Sequence, residues 1–248
     1  MSGSAATDTE TSVRNNLAVI RDRINKAATA AGRDPAEVRL LPVSKTFGED
    51  SIRAAHAAGC RLLGENKPQE AERKHDMFRG ELPDLGWAVI GHLQTNKAKV
   101  VARVASEFHA LDSIRVAEAL QRRLELEERS LDVFVQVNTS AEESKYGLEP
   151  AAVEQFVREL APYDRLRPRG LMTLALFSSD MDLVRPCFVR LRELRDACRQ
   201  HDPRISELSM GMSGDFEIAI AEGATTIRVG TAIFGYRALG EKHYWPKG

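Results

Sequence analysis

Lys45 stands directly after the apolar run LLPVS and before Thr46, in a position that suits covalent chemistry. An ammonium group at a buried strand end is costly, and burial lowers its pKa. A neutral lysine amine forms Schiff bases with carbonyl compounds, so Lys45 is a candidate nucleophile. The spacing alone favours the simpler interpretation, in which the lysine has left the strand and points into solvent.

Two turns of small residues near the end of the chain suit a phosphate group. LSMGMSGDFEIAIAEGA reads as a strand, a turn containing Ser213 and a helix start, and TTIRVGTAIFG as a strand followed by Gly230 and Thr231. Exposed amides at a helix start, with a hydroxyl nearby, bind phosphate dianions. A serine that only caps a helix is the commoner explanation for Ser213 alone. Because two such turns follow consecutive strands, a phosphate site is as well supported as a helix cap.

Polar or small residues also follow the other predicted strands, at Asn66, His92, Asp112, Asn138, Met172 and Ser209. His92 has the chemistry of a general base, but a single histidine is more often a hydrogen-bonded part of the scaffold. Asn66 and Asn138 suit turns or hydrogen bonds to a cofactor. Arg228 lies within the last strand between apolar neighbours. An inward arginine there needs a partner, and an outward one pairs with a helix carboxylate.

The elements that position these residues alternate between strand and helix along the whole chain. Eight short apolar runs are predicted as strands, and helical stretches lie between them: 39–44, 62–63, 87–90, 108–111, 132–137, 170–174, 207–210 and 226–229. Apolar strands with helical crossovers indicate a parallel sheet. Eight such units in one domain favour an α/β fold of the (β/α)8 TIM barrel type, whose active face lies at the carboxyl ends of the strands.

The predicted domain boundaries leave one barrel and two short tails. Residues 1–10 are small and polar and are predicted to be a disordered N-terminal tail without the features of a signal peptide. The barrel occupies 11–240, beginning with a helix whose apolar residues recur at steps of three and four from Val13 to Ala28. Residues 241–248, EKHYWPKG, form a short C-terminal tail.

Composition narrows the possible partners. A formal net charge of −1 argues against nucleic acid as the main partner, and no apolar run approaches the length that crosses a bilayer. The three cysteines and six histidines show no paired spacing, so neither a disulfide nor a metal site is predicted. We expect a cytoplasmic protein.

Seven segments, in this order and at this spacing, resemble the pyridoxal phosphate homeostasis protein family, small barrels related to the N-terminal domain of alanine racemase. The resemblance runs from Val13 to Arg237 and rests on LPVSKT, LLGENKPQE, VIGHLQTNK, VFVQVNTSAEESKYGL, RGLMTL, LSMGMSGDFEIAI and IRVGTAIFG. Each segment alone is a weak signal, and their combination is specific.

The resemblance implies a barrel of PLP fold type III that binds pyridoxal 5′-phosphate (PLP), and it implies a role for each candidate residue. Lys45 resembles the lysine that carries PLP as a Schiff base, and Asn66 an asparagine that contacts the cofactor. Ser213, Gly230 and Thr231 resemble the phosphate-binding residues. Arg228 resembles the arginine that faces the pyridine nitrogen. The family commonly has GENYVQE where this chain has GENKPQE, so Lys67 and Pro68 put in doubt any role of that tyrosine. Proline is tolerated in a first helical turn, and the fold is expected to survive.

The function that the resemblance implies is PLP homeostasis. The chain would hold PLP reversibly, limit the free aldehyde and supply PLP-dependent apo-enzymes. An arginine opposite the pyridine nitrogen keeps that nitrogen unprotonated and weakens the ring as an electron sink, and no additional domain with a second base is expected. The chain is therefore expected not to be an enzyme. The alternatives are a weak PLP-dependent amino-acid racemase and a Schiff-base aldolase that uses Lys45 without a cofactor.

Overall fold

Every apolar run that predicts a strand forms one. The structure is a computed structural model that describes residues 2–142 and 146–235, with side chains from residue 7 onward. The eight strands are β1 Arg39–Pro42, β2 Leu62–Glu65, β3 Gly86–Val89, β4 Glu107–Leu111, β5 Leu131–Gln136, β6 Leu166–Met172, β7 Glu207–Ser209 and β8 Thr226–Val229. The predicted alternation of strands and helices is confirmed.

All neighbouring strands are parallel, in the order β1-β8-β7-β6-β5-β4-β3-β2. The two ends of this order meet, because Val43 forms a parallel bridge with Gly64 and the Ser44 N–H donates to the Gly64 carbonyl at 3.0 Å. The sheet therefore closes into the predicted α/β barrel. In such a barrel the carboxyl ends of all strands surround one mouth.

Nine α-helices connect and cover these strands in the described part of the chain. They are α1 Ser2–Ala30, α2 Glu49–Ala57, α3 Pro68–Phe78, α4 Ala98–Val104, α5 Ile114–Leu126, α6 Val153–Glu159, α7 Met181–Arg199, α8 Phe216–Ala221 and α9 Thr231–Phe234. Helix α3 begins at Pro68, whose ring fixes a φ that suits a first helical position. The expectation that Lys67 and Pro68 leave the fold intact is thereby confirmed.

Helix α1 buries the predicted apolar stripe against the barrel, since Val13, Leu17, Ile20 and Ile24 are all at most 4% exposed. The helix begins at Ser2, so the disordered tail predicted for residues 1–10 is wrong for residues 2–10. Adding turns to a helix that packing has already nucleated costs little, which allows the polar segment to continue it. The C-terminal tail predicted at 241–248 lies outside the described residues.

Glycine permits the close approach of β6 and β7. A Cβ placed on Gly170 would lie 1.9 Å from the carbonyl oxygen of Glu207 on the neighbouring strand. No side chain fits that gap, so the register between these two strands requires glycine. This register places the end of β7, which carries Ser209, beside Met172.

Three further features bear on the kinds of site this fold offers. Cys60, Cys187 and Cys198 are buried free thiols. In the described ranges no group of histidine, cysteine or acidic side chains is arranged to hold a metal ion. No helix among these residues has the length and apolar character needed to span a bilayer.

Candidate functional site

Lys45 follows β1 at the mouth of the barrel and is half-buried. The backbone just before it pairs with β8, where the Val43 N–H donates to the Val229 carbonyl at 2.9 Å. A Cβ on Gly230 would lie 3.1 Å from the Val43 carbonyl oxygen, so the turn after β8 presses closely against the end of β1. The chain thus brings Lys45 beside Gly230, although 185 positions separate them in the sequence (230 − 45).

Ser213 and Gly214 lie in the turn after β7, next to the turn that holds Gly230 and Thr231. The Arg228 N–H donates to the Gly211 carbonyl at 2.9 Å, and this bond ties the two turns together. Among the described residues, the backbone N–H groups of Ser213, Gly214, Gly230 and Thr231 have no protein acceptor, nor do the two hydroxyls. Four unpaired amides and two hydroxyls on adjacent turns are donors that could bind an anion, and we call this set the anion cradle.

The alternative explanation of Ser213 as a helix cap is wrong. Helix α8 begins one turn later, with Asp215 at its N-cap position. The Asp215 carboxylate instead accepts a hydrogen bond from the Met212 N–H at 2.5 Å and shapes the turn. Gly211 adopts a φ of +93°, and a Cβ there would lie 2.7 Å from that of Ala219. The turn is built by Gly211 and Asp215, which leaves the Ser213 hydroxyl available.

Arg228 points inward and is 3% exposed. Its guanidinium donates to the Ser209 hydroxyl at 2.8 Å and to the Thr173 carbonyl at 2.7 Å. Neither partner carries a charge. Burial lowers the pKa of Arg228 to about 10, with Asp215 opposing the shift through its charge, so the group stays protonated at neutral pH. Of the two interpretations of Arg228, the inward one is correct.

A chain of hydrogen bonds runs from Arg228 through the barrel interior. His109 contacts the Ser209 hydroxyl at 2.9 Å through Nδ1 and the Glu107 carboxylate at 2.7 Å through Nε2. Glu107 in turn accepts two hydrogen bonds from Arg39. His109 lies on β4 and Ser209 on β7, which are not neighbours in the sheet, so the contact crosses the interior. We call this set the interior relay.

The donors of the interior relay follow from its chemistry. Glu107 only accepts when ionised, so the His109 Nε2 carries a proton. Burial lowers the pKa of His109 and keeps it neutral, which leaves its Nδ1 as the acceptor of the Ser209 hydroxyl proton. Ser209 therefore offers only its oxygen to Arg228. We assign each bond one direction, from Arg228 to Ser209, on to His109 and then to Glu107.

Glu107 makes stability depend on pH. Burial raises the pKa of its carboxyl, but the hydrogen bonds from His109 and Arg39 and the charge of Arg39 outweigh burial and lower it to about 2 from an ordinary 4.5. A carboxyl with a depressed pKa stabilises the fold above its unfolded pKa and loses that contribution as the pH falls toward the folded value. We expect Glu107 to contribute ~3 kcal/mol at neutral pH and to lose about 2 kcal/mol of it between pH 6 and pH 3.

Urea unfolding of the wild type and of Glu107→Gln at both pH values measures this contribution. The other carboxyls titrate equally in both proteins, so the pH-dependent difference between them isolates Glu107. Equal losses of unfolding free energy in the two proteins would contradict the assignment.

Asn66 and His92 follow β2 and β3 on the other side of Lys45. Gly91 lies so close to Asn66 that a Cβ there would be 2.2 Å from the Asn66 carbonyl oxygen. The His92 ring stacks on Tyr146 with centroids 3.9 Å apart, and its Nδ1 lies 3.2 Å from the Asp112 carboxylate. These two contacts fit the interpretation of His92 as part of the scaffold.

The other two residues predicted at strand ends are buried, and one is engaged locally. The Asn138 side-chain amide donates to the Glu142 carbonyl at 2.9 Å, which makes it a turn former. Met172 is fully buried in the core at the end of β6.

Sequence reasoning missed four polar residues of the interior: Glu65, Lys74 and His109, which are buried, and Glu107, which is partly buried. The burial of Lys74 was predictable from the sequence. Lys74 lies between Ala71 and Phe78 in a stripe spaced by three and four residues on α3, and both of these residues are buried. His109 alternates with Leu111 on the inward face of β4. Both Lys74 and His109 are polar residues at positions that the hydrophobic period of their helix or strand predicts to be buried.

The fold and the site together define the class of protein. A closed parallel (β/α)8 barrel has a lysine after its first strand and unpaired amides after its last two, which is the arrangement expected of the alanine racemase N-terminal domain. The family model of the alanine racemase N-terminal domain matches residues 15–238.

The chain belongs to the pyridoxal phosphate homeostasis protein family. The protein of that name from Pseudomonas aeruginosa is 41% identical over 230 residues, covering 92% of this chain and 97% of the relative. The one from Escherichia coli K12 is 40% identical over 234 residues, covering 93% and 99%. The resemblance seen in the sequence is thereby confirmed.

Solved structures agree with the fold. PipY from Synechococcus elongatus, solved with PLP bound, has a TM-score of 0.80 and 36% identity, and the match covers 90% of this chain and all of PipY. Alanine racemase from Streptomyces coelicolor has a TM-score of 0.68 at 18% identity, over 92% of this chain and 59% of the racemase. The second likeness concerns the fold alone.

Proposed function

We propose that this protein binds PLP at the mouth of its barrel and takes part in PLP homeostasis, holding the cofactor on Lys45 as a Schiff base. The observation that carries the proposal is the cradle of four unpaired amides beside Lys45. The cradle lies on the turns after β7 and β8, and β8 is the sheet neighbour of β1, the strand that Lys45 follows. The names of the relatives and the PLP in PipY support the same ligand.

Each residue of the site has a part in this proposal. Ser213, Gly230 and Thr231 hold the phosphate, because their amides and hydroxyls point to no protein acceptor among the described residues. Arg228 stands against the pyridine nitrogen and donates a hydrogen bond to it. Asn66 contacts the ring from the turn after β2. The bound cofactor supplies a reactive aldehyde and, in enzymes, an electron sink.

The protein in this proposal is a carrier and not an enzyme. Arg228 is protonated and donates both of its observed hydrogen bonds, so it cannot protonate the pyridine nitrogen as a carboxylic acid would. An unprotonated ring draws electrons weakly. The racemase alternative is not favoured, since the relatives are named for homeostasis. The Schiff-base aldolase alternative is not favoured either, since the names of the relatives and the PLP in PipY point to the cofactor.

The proposal extends to partners and location. We infer that PLP-dependent apo-enzymes receive the cofactor from this protein and that it acts in the cytoplasm. The three buried free thiols support a reducing compartment. Neither nucleic acid nor a membrane is proposed as a partner.

A transfer experiment tests the carrier function. The protein loaded with PLP is mixed with a PLP-dependent aminotransferase freed of its cofactor, in the presence of a phosphatase that destroys free PLP. We expect the aminotransferase to regain activity with the loaded protein and to stay inactive with the same concentration of free PLP. Equal failure with both donors would contradict the carrier function.

The phosphate assignment makes a separate prediction. Losing one charge-assisted hydrogen bond costs roughly 1.5–3 kcal/mol, or about ten- to a hundredfold in affinity. Ser213→Ala and Thr231→Ala are each expected to weaken binding of PLP by that factor and to leave binding of pyridoxal unchanged. Titration of both compounds by absorbance measures the difference. Equal losses for the two compounds would show that these hydroxyls do not bind the phosphate.

A further inference from the structure

A fully buried lysine lies behind the turn that carries Lys45. Lys74 on α3 is 1% exposed, and its ammonium group contacts the Glu65 carboxylate at 2.6 Å, the Ser44 carbonyl at 2.7 Å and the Glu70 carboxylate at 2.9 Å. An ammonium group has three protons to donate, and all three are engaged. Lys74 is therefore held by three acceptors and has no free amine with which to compete with Lys45.

This buried cluster holds the backbone on both sides of Lys45. Before it, the Ser44 carbonyl accepts from Lys74, and the Ser44 hydroxyl contacts Glu65 at 2.6 Å. After it, the Thr46 N–H donates to the Glu70 carboxylate at 2.6 Å. The residue between these two contacts is Lys45, so the cluster binds the backbone on both sides of it.

The turn itself is conformationally demanding. The Phe47 N–H donates to the Ser44 carbonyl at 3.0 Å and closes a four-residue turn around Lys45 and Thr46. Thr46 has a φ of +69°, a left-handed conformation that β-branched residues rarely adopt. Such a conformation persists where surrounding contacts hold it, and Glu70 supplies the contact at the Thr46 amide.

Glu65 binds through one oxygen only. Its Oε1 contacts both Lys74 and Ser44, whereas its Oε2 is buried without a hydrogen-bond partner in the described structure. A glutamine at this position keeps one oxygen for Lys74 and Ser44 and removes the negative charge, and its amide nitrogen takes the buried position of Oε2. Glu65→Gln thus separates the hydrogen bonds of the cluster from its charge.

We propose that Lys74, together with Glu65 and Glu70, is a positioning group that holds the Lys45 turn so that the Lys45 amine meets the carbonyl group of PLP. The proposal rests on the function proposed above. In the described residues the cluster contacts the two neighbours of Lys45 and no residue of the anion cradle, so we expect it to act on the rate of covalent attachment. The anion cradle on β7 and β8 is separate from it.

The test compares covalent and non-covalent binding. Apo-protein is mixed with PLP, and attachment to Lys45 is followed by absorbance. In parallel, the dissociation constant is measured for pyridoxine 5′-phosphate, which has the phosphate and ring but no aldehyde. The variants are Lys74→Met, Glu70→Ala, Glu65→Ala and Glu65→Gln. Lys99→Met, at an exposed position on α4, is the matched control.

A misplacement of about 1 Å at a reacting group can cost a factor of about 100 in rate. We expect Lys74→Met and Glu65→Ala to slow attachment by a factor of about 10 to 100, and Glu70→Ala by a smaller factor. Glu65→Gln is expected to recover most of the wild-type rate, and Lys99→Met all of it. Affinity for pyridoxine 5′-phosphate should stay within about twofold throughout.

Three results would overturn the inference. The first is wild-type attachment rates in folded Lys74→Met and Glu70→Ala. The second is a parallel loss of pyridoxine 5′-phosphate binding, which marks a merely structural role. The third is a wild-type protein that attaches no PLP to Lys45, which would also remove the proposed function. Thermal unfolding reports whether Lys74→Met folds, and if it does not, Glu70→Ala decides, because it leaves the Lys74–Glu65 pair intact.

Discussion

Lys45→Ala is expected to abolish covalent attachment of PLP while the barrel stays folded. Lys45 is the lysine that the turn after β1 presents beside the anion cradle, and it is half-buried, so its truncation removes little packing. Borohydride converts a Schiff base into a stable amine, and mass spectrometry of the digested protein then locates the modified lysine. We expect the adduct on Lys45 in the wild type and on no lysine in the variant.

Lys67→Ala and Lys97→Ala serve as matched controls for that experiment. Lys67 follows Asn66 and departs from the family pattern, and Lys97 lies in the turn after β3. Both variants are expected to carry the adduct on Lys45 as the wild type does. An adduct that persists in Lys45→Ala, on either of these residues or on Lys74, would sink the assignment. Circular dichroism verifies that each variant is folded.

The purified protein is expected not to racemise or transaminate amino acids at the rate of an enzyme. Racemisation uses a second base besides the lysine, and the loss of one general base lowers a rate by a factor of roughly 10²–10⁴. Arg228 is a cation held by two neutral partners, so the ring that it is proposed to face would stay unprotonated and weak as an electron sink. Turnover should therefore fall well below the roughly 10 per second of a typical enzyme.

Deuterium exchange at the α-carbon of alanine and serine, followed by NMR at saturating substrate, measures this rate. An alanine racemase under the same conditions is the positive control, and Lys45→Ala is the control for exchange outside the site. Slow exchange that disappears in Lys45→Ala fits a carrier whose bound cofactor is incidentally reactive. Turnover near the typical enzyme value, dependent on Lys45, would make the protein an enzyme.

The two predictions and the positioning inference concern different parts of one site. Lys45→Ala tests the identity of the attachment residue, and α-carbon exchange tests the electronics that Arg228 imposes. The Lys74 variants test how the Lys45 turn is held. The interior relay and the Lys74 cluster share no residue. We therefore expect the losses of unfolding free energy caused by a substitution in each of them to be additive.

Much of the fold followed from local patterns. Each run of apolar residues became a strand, and the three- and four-residue steps from Val13 to Ala28 became the buried face of α1. Local polarity was a poor guide at the N-terminus, where residues 2–10 continue that helix. A growing helix needs no second nucleation, and single-residue polarity does not report that cooperativity.

The candidate site was predictable to the extent that its residues follow strands. The carboxyl ends of barrel strands share one mouth, so the strand pattern alone predicts that five residues lie near one another: Lys45, Asn66, Ser213, Gly230 and Thr231. The residue pattern alone left the phosphate hypothesis level with a helix cap, and the family resemblance favoured phosphate. The start of α8 at Phe216, after Asp215, excludes Ser213 as the cap.

The sequence by itself determined the alternation of strands and helices, the position of Lys45 after β1 and the two small-residue turns, because each depends on neighbours along the chain. Only the tertiary structure decided which buried polar groups meet. His109 reaches Ser209 across 100 residues, and Lys74 reaches Ser44 across 30. Such pairs depend on barrel closure and strand register, which set the positions of side chains facing each other across the interior. A periodic pattern specifies that a residue is buried, and closure specifies what it touches there.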